Sequence, residues 1–585
     1  MTKTKVAILG GGIAGMSAAH ELVERGFEVE VFDKHRLYAG GKARSVNVPA
    51  TNTPDPHKYL PGEHGFRFFP GFYKHVTDTM KRIPFNGQKE GVYDNLVAVT
   101  RAGILRNGQN PIYTLVNFPK SFDDLRVMMQ TLHAHTGLTG EEEKFFAGKL
   151  WQLATTCYER RVNEYEKIGW WQYLEADRFS KTYQALLVQG ITRTLVAANA
   201  KKASTKTGGD IFLQLLFNMT DPGVNTDRVL NGPTNDAWIN PWLDYLRSKG
   251  VIYNFSKSAK KIEMADGRVA GVWVEAYTDG VPKSDLVTAD YYIFATPVEV
   301  MADLISDDVL RADPTLQGIK TLAPSVAWMN GIQFYLSATI DVVHGHCIYS
   351  DSPWAITSIS QLQFWKDYDI TARYDGKVQT ILSVDISDWD EPGILEATGK
   401  KPARDCSYEE IKNEVWAQMK DSLNVNENIV LRDEDLVHWY IDHDITVSHQ
   451  REDKDKEPLL VNTINSWDLR PQAYTHIPNL FLASDYVQTY TDLATMEGAN
   501  EAARRAVNAI IEASGIKAAL CEIWNLHEPG FLAGMRDTDQ KRYAEGLPYQ
   551  FYEPLTFRLL ETTVRVFKRL FGVSDQEGKT TGDAR

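Results

Sequence analysis

Three glycines, Gly10, Gly12 and Gly15, stand between the apolar run Val6-Ala7-Ile8-Leu9 and a stretch with Ala18, Ala19, Leu22 and Val23 at helical spacing. Strand, glycine turn, then helix is the order that a buried pyrophosphate requires. The first glycine permits the turn, the second lets backbone approach the phosphates, and the third lets helix pack on strand. Gly26 marks a helix stop, and Glu28 to Phe32 reads as a second strand that ends at Asp33. An acid about 20 residues after such a turn accepts hydrogen bonds from both hydroxyls of an adenosine ribose. With Lys34 beside it, Asp33 completes one βαβ unit and predicts a dinucleotide site. Gly40-Gly41-Lys42-Ala43-Arg44 then adds a second glycine pair and two cations.

Two further stretches carry chemistry. After a proline-rich loop at 46–62 comes Glu63-His64-Gly65-Phe66-Arg67-Phe68-Phe69-Pro70-Gly71-Phe72-Tyr73. Its rings would serve a core or a cofactor face equally well. Far downstream, the strand-like Asn479 to Tyr486 contains Asp485, and Ala494-Thr495-Met496-Glu497-Gly498-Ala499 opens a helix through Ala502, Ala503, Ala506, Val507 and Ile510. Glu497 falls in the first turn, where the helix dipole favours an acid.

Taken together, these segments resemble the flavin-containing amine oxidoreductases, the superfamily of phytoene desaturases and monoamine oxidases, and most of all its plant and cyanobacterial-type phytoene desaturase branch. The resemblance implies noncovalent FAD, with Lys42 and Arg44 helping to neutralise the pyrophosphate. It sets Gly65, Phe66, Arg67 and Phe68 beside the isoalloxazine, although relatives carry histidine where this chain has Arg67. It gives Ala259 a backbone contact to adenine and puts Ala295, in Asp290 to Pro297, over the cofactor's middle. Asp485 would bond the ribityl or pyrophosphate region, and Thr495 and Met496 would point a helix N-terminus at flavin N1 and O2. Ser484 stands where relatives usually have glycine. Amine-oxidising members place a tyrosine of an aromatic cage at the position of Thr495, which favours the desaturase branch. By family position the candidates for catalysis are Glu63, His64 and Arg67. No metal site is expected.

The implied fold class is α/β, a Rossmann-like FAD-binding domain with a parallel sheet, interleaved with a substrate domain of mixed sheet plus helices. The cofactor domain would comprise 1–115, 246–310 and 461–515; a helical region would span 116–245 and a mixed sheet 311–460, with an extension over 516–585. Helix-like stretches run over Phe122 to His135, Glu141 to Glu166 and Ser180 to Ala198. Trp170, Trp171, Phe212, Leu215, Phe217 and Met219 would be packed core or the lining of a substrate cavity. Strand-like runs flank Ala265-Asp266-Gly267 and recur over 325–385, and 450–457 forms a charged loop. In the extension, Phe557, Leu560, Val564, Phe567, Leu570 and Phe571 lie at helical spacing with Arg558, Arg565, Lys568 and Arg569 on other faces. Such a helix at 554–571 would contact a membrane surface, the protein itself or a second copy, a homo-oligomer contact. Ser574 to Arg585 reads as a disordered end.

Composition fits a folded chain: 585 residues, 43% hydrophobic and 24% charged, with a net charge of −14 that disfavours nucleic-acid binding. Four widely spaced cysteines, a polar N-terminal stub and no apolar run long enough to span a bilayer predict a cytoplasmic protein, membrane-associated if the 554–571 helix binds lipid. The function expected is FAD-dependent hydride abstraction from a C–H bond of a small hydrophobic substrate, an isoprenoid or polyene. The alternatives are a flavin amine or amino-acid oxidase and a non-redox flavoprotein, an isomerase or lipid binder.

Overall fold

The computed structural model describes residues 3–51, 55, 58–63, 65–117, 137–189, 200–219, 221, 223–278, 281–327, 330–442 and 457–551. Its elements begin with β1 (Lys5–Leu9), α1 (Ile13–Glu24), β2 (Glu28–Phe32) and α2 (His75–Lys81). The hairpin β3 (Arg101–Arg106) and β4 (Gln109–Leu115) precedes the helices α3 (Gly140–Thr155), α4 (Tyr158–Asn163) and α5 (Thr205–Met219). β5 (Ile252–Asn254), the hairpin β6 (Ser258–Ala265) and β7 (Arg268–Thr278), and β8 (Tyr291–Phe294) return the chain to its start. There follow β9 (Asn330–Leu336), β10 (Gly345–Tyr349), β11 (Thr357–Ser360), β12 (Thr380–Ile386) and β13 (Leu436–Ile441). β14 (Leu480–Leu482), α6 (Met496–Ser514) and α7 (Ala533–Ala544) come last.

One sheet has the order β14-β8-β1-β2-β5 with every neighbour parallel. Its centre, β1, buries Val6, Ala7, Ile8 and Leu9 completely, the continuous apolar run that a parallel sheet covered on both faces demands. The second sheet, β13-β9-β12-β11-β10-β3-β4, is antiparallel except where β10 meets β3. This is the α/β architecture the sequence implies, with one boundary moved. β3 and β4, counted with the first cofactor segment, pair into the second sheet.

The glycine turn is fixed by close approach. A Cβ on Gly10, at φ +113°, would strike the Ala295 carbonyl oxygen, and one on Gly15 would strike that of Gly10. α1 then packs on α6 in matching steps: Asn500 donates to Ser17 Oγ at 2.8 Å, and Arg504 lies 3.4 Å from Glu21. Both contacts fall one and two turns from each helix start, so the helices run side by side in the same direction with their N-termini together.

The turn at Asp266 and Gly267 joins β6 to β7 as expected, and both residues have positive φ. The stretch Glu141 to Glu166 is not one helix. It breaks at Thr156 and Cys157, where the Cys157 N–H donates to Asp539 at 3.0 Å. Asp539 belongs to the extension, which straps over both regions: Trp524 N–H donates to His75 Nε2 at 3.0 Å, Arg25 Nε to the Ala519 carbonyl at 2.7 Å, and His527 N–H to Gln214 at 3.0 Å. The stretch Phe122 to His135, the 190–198 part of the third helix-like stretch, nearly all of the 450–457 loop and the 554–571 helix lie outside the described residues, as does the 574–585 end. Among the described residues no helix is long and apolar enough to cross a membrane.

Asp539 and its partner Arg160 are both buried, with Arg160 Nε 3.1 Å away. Removing one member of a buried pair strands the other charge, so Asp539→Ala is expected to cost about 3–5 kcal/mol of stability. Urea unfolding followed by circular dichroism measures it.

Candidate dinucleotide site

A single cavity, enclosing about 2290 Å³ with its open mouth, is lined by Gly10, Gly12, Asp33, Lys34, Gly41, Lys42, Gly65, Phe66, Arg67, Phe68, Ala259, Ala295, Asp485, Thr495 and Met496. Segments from the two ends of the chain thus share one wall. Gly15 sits behind it, holding α1 against β1. Arg44 and Glu63 do not line it, and His64 lies outside the described residues.

At the β2 end, Asp33 is buried and accepts hydrogen bonds from the His35 N–H at 3.0 Å and the Tyr253 hydroxyl at 2.7 Å. Burial alone would raise this carboxyl, but the His35 and Tyr253 bonds hold it below its ordinary value. Burial likewise disfavours charge on His35, and Asp33 and Glu457 more than offset that, lifting its pKa to about 9. The His35 Nε2 lies 2.7 Å from Glu457, and Lys34 pairs with the same carboxylate at 3.3 Å.

Arg44 departs from the expectation. Its guanidinium is buried and spans two carboxylates, Glu457 at 2.7 Å and Asp442 at 3.1 Å. Paired with them, Arg44 is absent from the cavity lining, whose lysines and arginine are Lys34, Lys42, Lys257 and Arg67. Lys42 donates to the Pro458 carbonyl, and Arg67 donates to the Lys42 carbonyl at 2.6 Å.

Glu63 is a second correction. Its carboxylate oxygens accept from the Thr234 N–H and hydroxyl, each at 2.9 Å, so it clasps a neighbouring loop and touches nothing in the cavity. Burial lifts its pKa to about 7, with Arg67 and the Thr234 bonds opposing. Asp385 on β12, which the sequence pattern did not single out, joins Asp33, Glu457 and Asp485 as an acid of the cavity wall. Its signal was an acid inside the otherwise apolar strand Ile381-Leu382-Ser383-Val384-Asp385-Ile386.

Thr495 caps α6, its hydroxyl accepting from the Gly498 N–H at 3.1 Å. Glu497 does more than complement the dipole. Buried, it accepts the N–H groups of Lys74 at 2.7 Å, His75 at 2.8 Å and Val76 at 2.9 Å, which fixes the aromatic loop to the helix. Burial opposes its ionisation, yet the His75 contacts and these N–H groups hold its pKa below normal. Trp170, Trp171, Phe212, Leu215, Phe217 and Met219 are absent from the cavity lining; Trp170, Trp171, Phe212 and Phe217 pack into the helical core.

These residues fit a dinucleotide. Two helix N-termini border the cavity, the arrangement that binds phosphate. A Cβ on Gly12 would meet only the Gly41 Cα at 3.7 Å and the Gly40 oxygen at 4.0 Å, so backbone there is open to close approach. Thr296 Oγ1, on the same wall, is buried without a hydrogen-bond partner among the described residues. Buried polar atoms of this kind are ordinarily satisfied.

Comparison with known proteins bears on the same architecture. Residues 8–83 match the NAD(P)-binding Rossmann-like domain. A protein described as a probable zeta-carotene desaturase from Synechococcus elongatus is 23% identical over 88% of this chain and 100% of its own length. The zeta-carotene desaturase of Arabidopsis thaliana is 38% identical, but over 14% of this chain and 13% of that relative. Cyclohexylamine oxidase from Brevibacterium oxydans superposes with a TM-score of 0.58 at 12% identity, covering 88% of this chain and all of that one. In sequence the chain is similar to carotene and phytoene desaturases, and in fold to amine oxidases. It is an oxidoreductase, with a dinucleotide cofactor of the flavin or NAD(P) class.

Because a methyl at Gly12 meets only ordinary contacts, Gly12→Ala should keep wild-type unfolding while weakening dinucleotide binding at least tenfold, read by equilibrium titration. Glu497→Ala should destabilise by about 3–5 kcal/mol. Since the folded pKa of Glu497 is depressed, its contribution is full above the unfolded value and is lost as pH falls through the folded one. The penalty of the substitution should therefore shrink in acid, measured by urea unfolding at several pH values.

Proposed function

We propose that this chain binds FAD noncovalently and removes hydride from a C–H bond of a small hydrophobic substrate, an isoprenoid or polyene, in the manner of a desaturase. The observation that carries the reading is the shared wall: the glycine turn of α1 and the start of α6 border one cavity. The glycine turn would take the pyrophosphate, Asp33 the ribose, Ala259 the adenine, and the α6 N-terminus the electron-rich edge of the flavin. Bound FAD supplies a two-electron acceptor for hydride.

The chain's own residues supply placement. Phe66, Phe68, Ile211, Leu459, Leu460 and Leu493 give the cavity apolar surface that aligns a hydrocarbon and excludes water. Thr495, spent on capping α6, leaves no ring at the position where amine-oxidising members carry a tyrosine. One observation favours a second reading, an amine oxidase: Asp385 puts a carboxyl in the cavity, where a cationic amine would find a partner.

Anaerobic mixing of the FAD-loaded protein with polyenes and with amines separates the readings. Bleaching of the flavin band near ~450 nm by a polyene alone is expected. Bleaching by amines alone, with hydrogen peroxide released on admitting air, would replace the first reading with the second. Conversion of substrate without a change of mass would mark an isomerase.

A further inference from the structure

Asp385 and Arg67 line the cavity, and His346 packs behind its Phe66 and Phe68. Asp385 Oδ1 occupies space that two absent side chains leave: a Cβ on Gly65 or on Gly331 would lie 2.7 Å from it. The Phe66 N–H donates to the same carboxyl. Asp385 lines the cavity wall, with Gly331 of β9 and Thr357 of β11 paired beside it and the Gly65 loop against it.

We propose that Asp385 is the proton acceptor of this cavity, taking the proton that a substrate carbon loses as hydride leaves its neighbour. The proposal rests on the FAD-dependent desaturation argued above. One C–H hydrogen departs with its electron pair to the flavin, the oxidant; the second departs as a proton to an Asp385 oxygen, and the pair it leaves behind becomes the carbon–carbon double bond. Arg67 and His346 are positioning residues that tune this acid.

The groups facing Asp385 agree with that role. Burial raises its pKa to about 7, while Arg67, His346 and the Phe66 N–H oppose the rise. Arg67 reaches it from the Gly65 loop and is itself faced by Glu63 and Asp442. His346, on β10, packs its ring 5.3 Å from Phe66 and 5.6 Å from Phe68 and pairs with Asp227. Burial disfavours charge on His346, and Asp227 more than offsets that, so its pKa is raised. A carboxyl poised near neutrality both accepts a proton and releases it between turnovers.

The test uses FAD-loaded wild type, Asp385→Asn and His346→Gln. Burial lifts both Asp385 and Glu63 to about 7, so infrared titration should show a protonated-carboxyl signal in wild type that fades as pH rises through that value, and Asp385→Asn should lose the Asp385 share of it while the Glu63 share remains. With the polyene that bleaches wild type, bleaching should quicken with pH through the same range and fall roughly 10²–10⁴-fold in Asp385→Asn, whose flavin spectrum should persist. His346 opposes the rise of the Asp385 pKa, so His346→Gln should move the limb of the pH profile upward. Asp385→Asn that bleaches within about threefold of wild type, or whose protonated-carboxyl signal is undiminished from wild type, would overturn the proposal and leave the desaturase reading intact. Wild type that binds no FAD, or that no polyene bleaches, would overturn that reading and this proposal with it.

Discussion

Two helices, α1 and α6, lie side by side and bring both N-termini to one cavity, and the rest of the structure follows from that. The positive ends of parallel helix dipoles repel unless negative charge sits between or before them. A bound diphosphate answers the repulsion, and so the site belongs where the two helices begin. Ser17 with Asn500 and Glu21 with Arg504 hold the pair in register. Glu497 then carries the geometry outward by binding the N–H groups of residues 74–76, so the start of α6 also positions the loop bearing Phe66, Arg67 and Phe68.

The sequence made legible what is local. The switch from strand to helix at Gly10 to Gly15, the acid at Asp33 and the helix start at Thr495 each depend on neighbours a few residues away, and each stands where its spacing places it. What pairing over long separations decides was not legible. Arg44 has the right charge for a phosphate, but Glu457 and Asp442 claim it, the first of them 413 residues away. Glu63 has the right chemistry for a base, but Thr234 claims it across 171 residues. Asp385 gains its place only when β12 pairs with β9 and puts Gly331 beside it. Residues 101–115, counted with the cofactor domain, pair into the second sheet for the same reason, since the parallel partner β10 lies far downstream.

The extension beyond α6 shows how a second region is fixed to the first. Its polar contacts are specific: Asp539 on Arg160, a buried pair, Glu528 on Arg161 and Trp524 on His75. Arg161 in turn pairs with Asp210 of α5, and Lys206 of the same helix pairs with Asp492, two residues before Ala494 on the cavity wall. The helical block and the loop before α6 are thus joined by charges that water does not screen.

The central claim is that the two ends of the chain form one FAD site. Calorimetric titration of cofactor-stripped protein with FAD, and separately with NADPH, tests it most directly. The account predicts one FAD bound per chain, lost or weakened by Gly12→Ala, with NADPH failing to displace it. Saturable NADPH binding at the glycine turn with no FAD binding would contradict it.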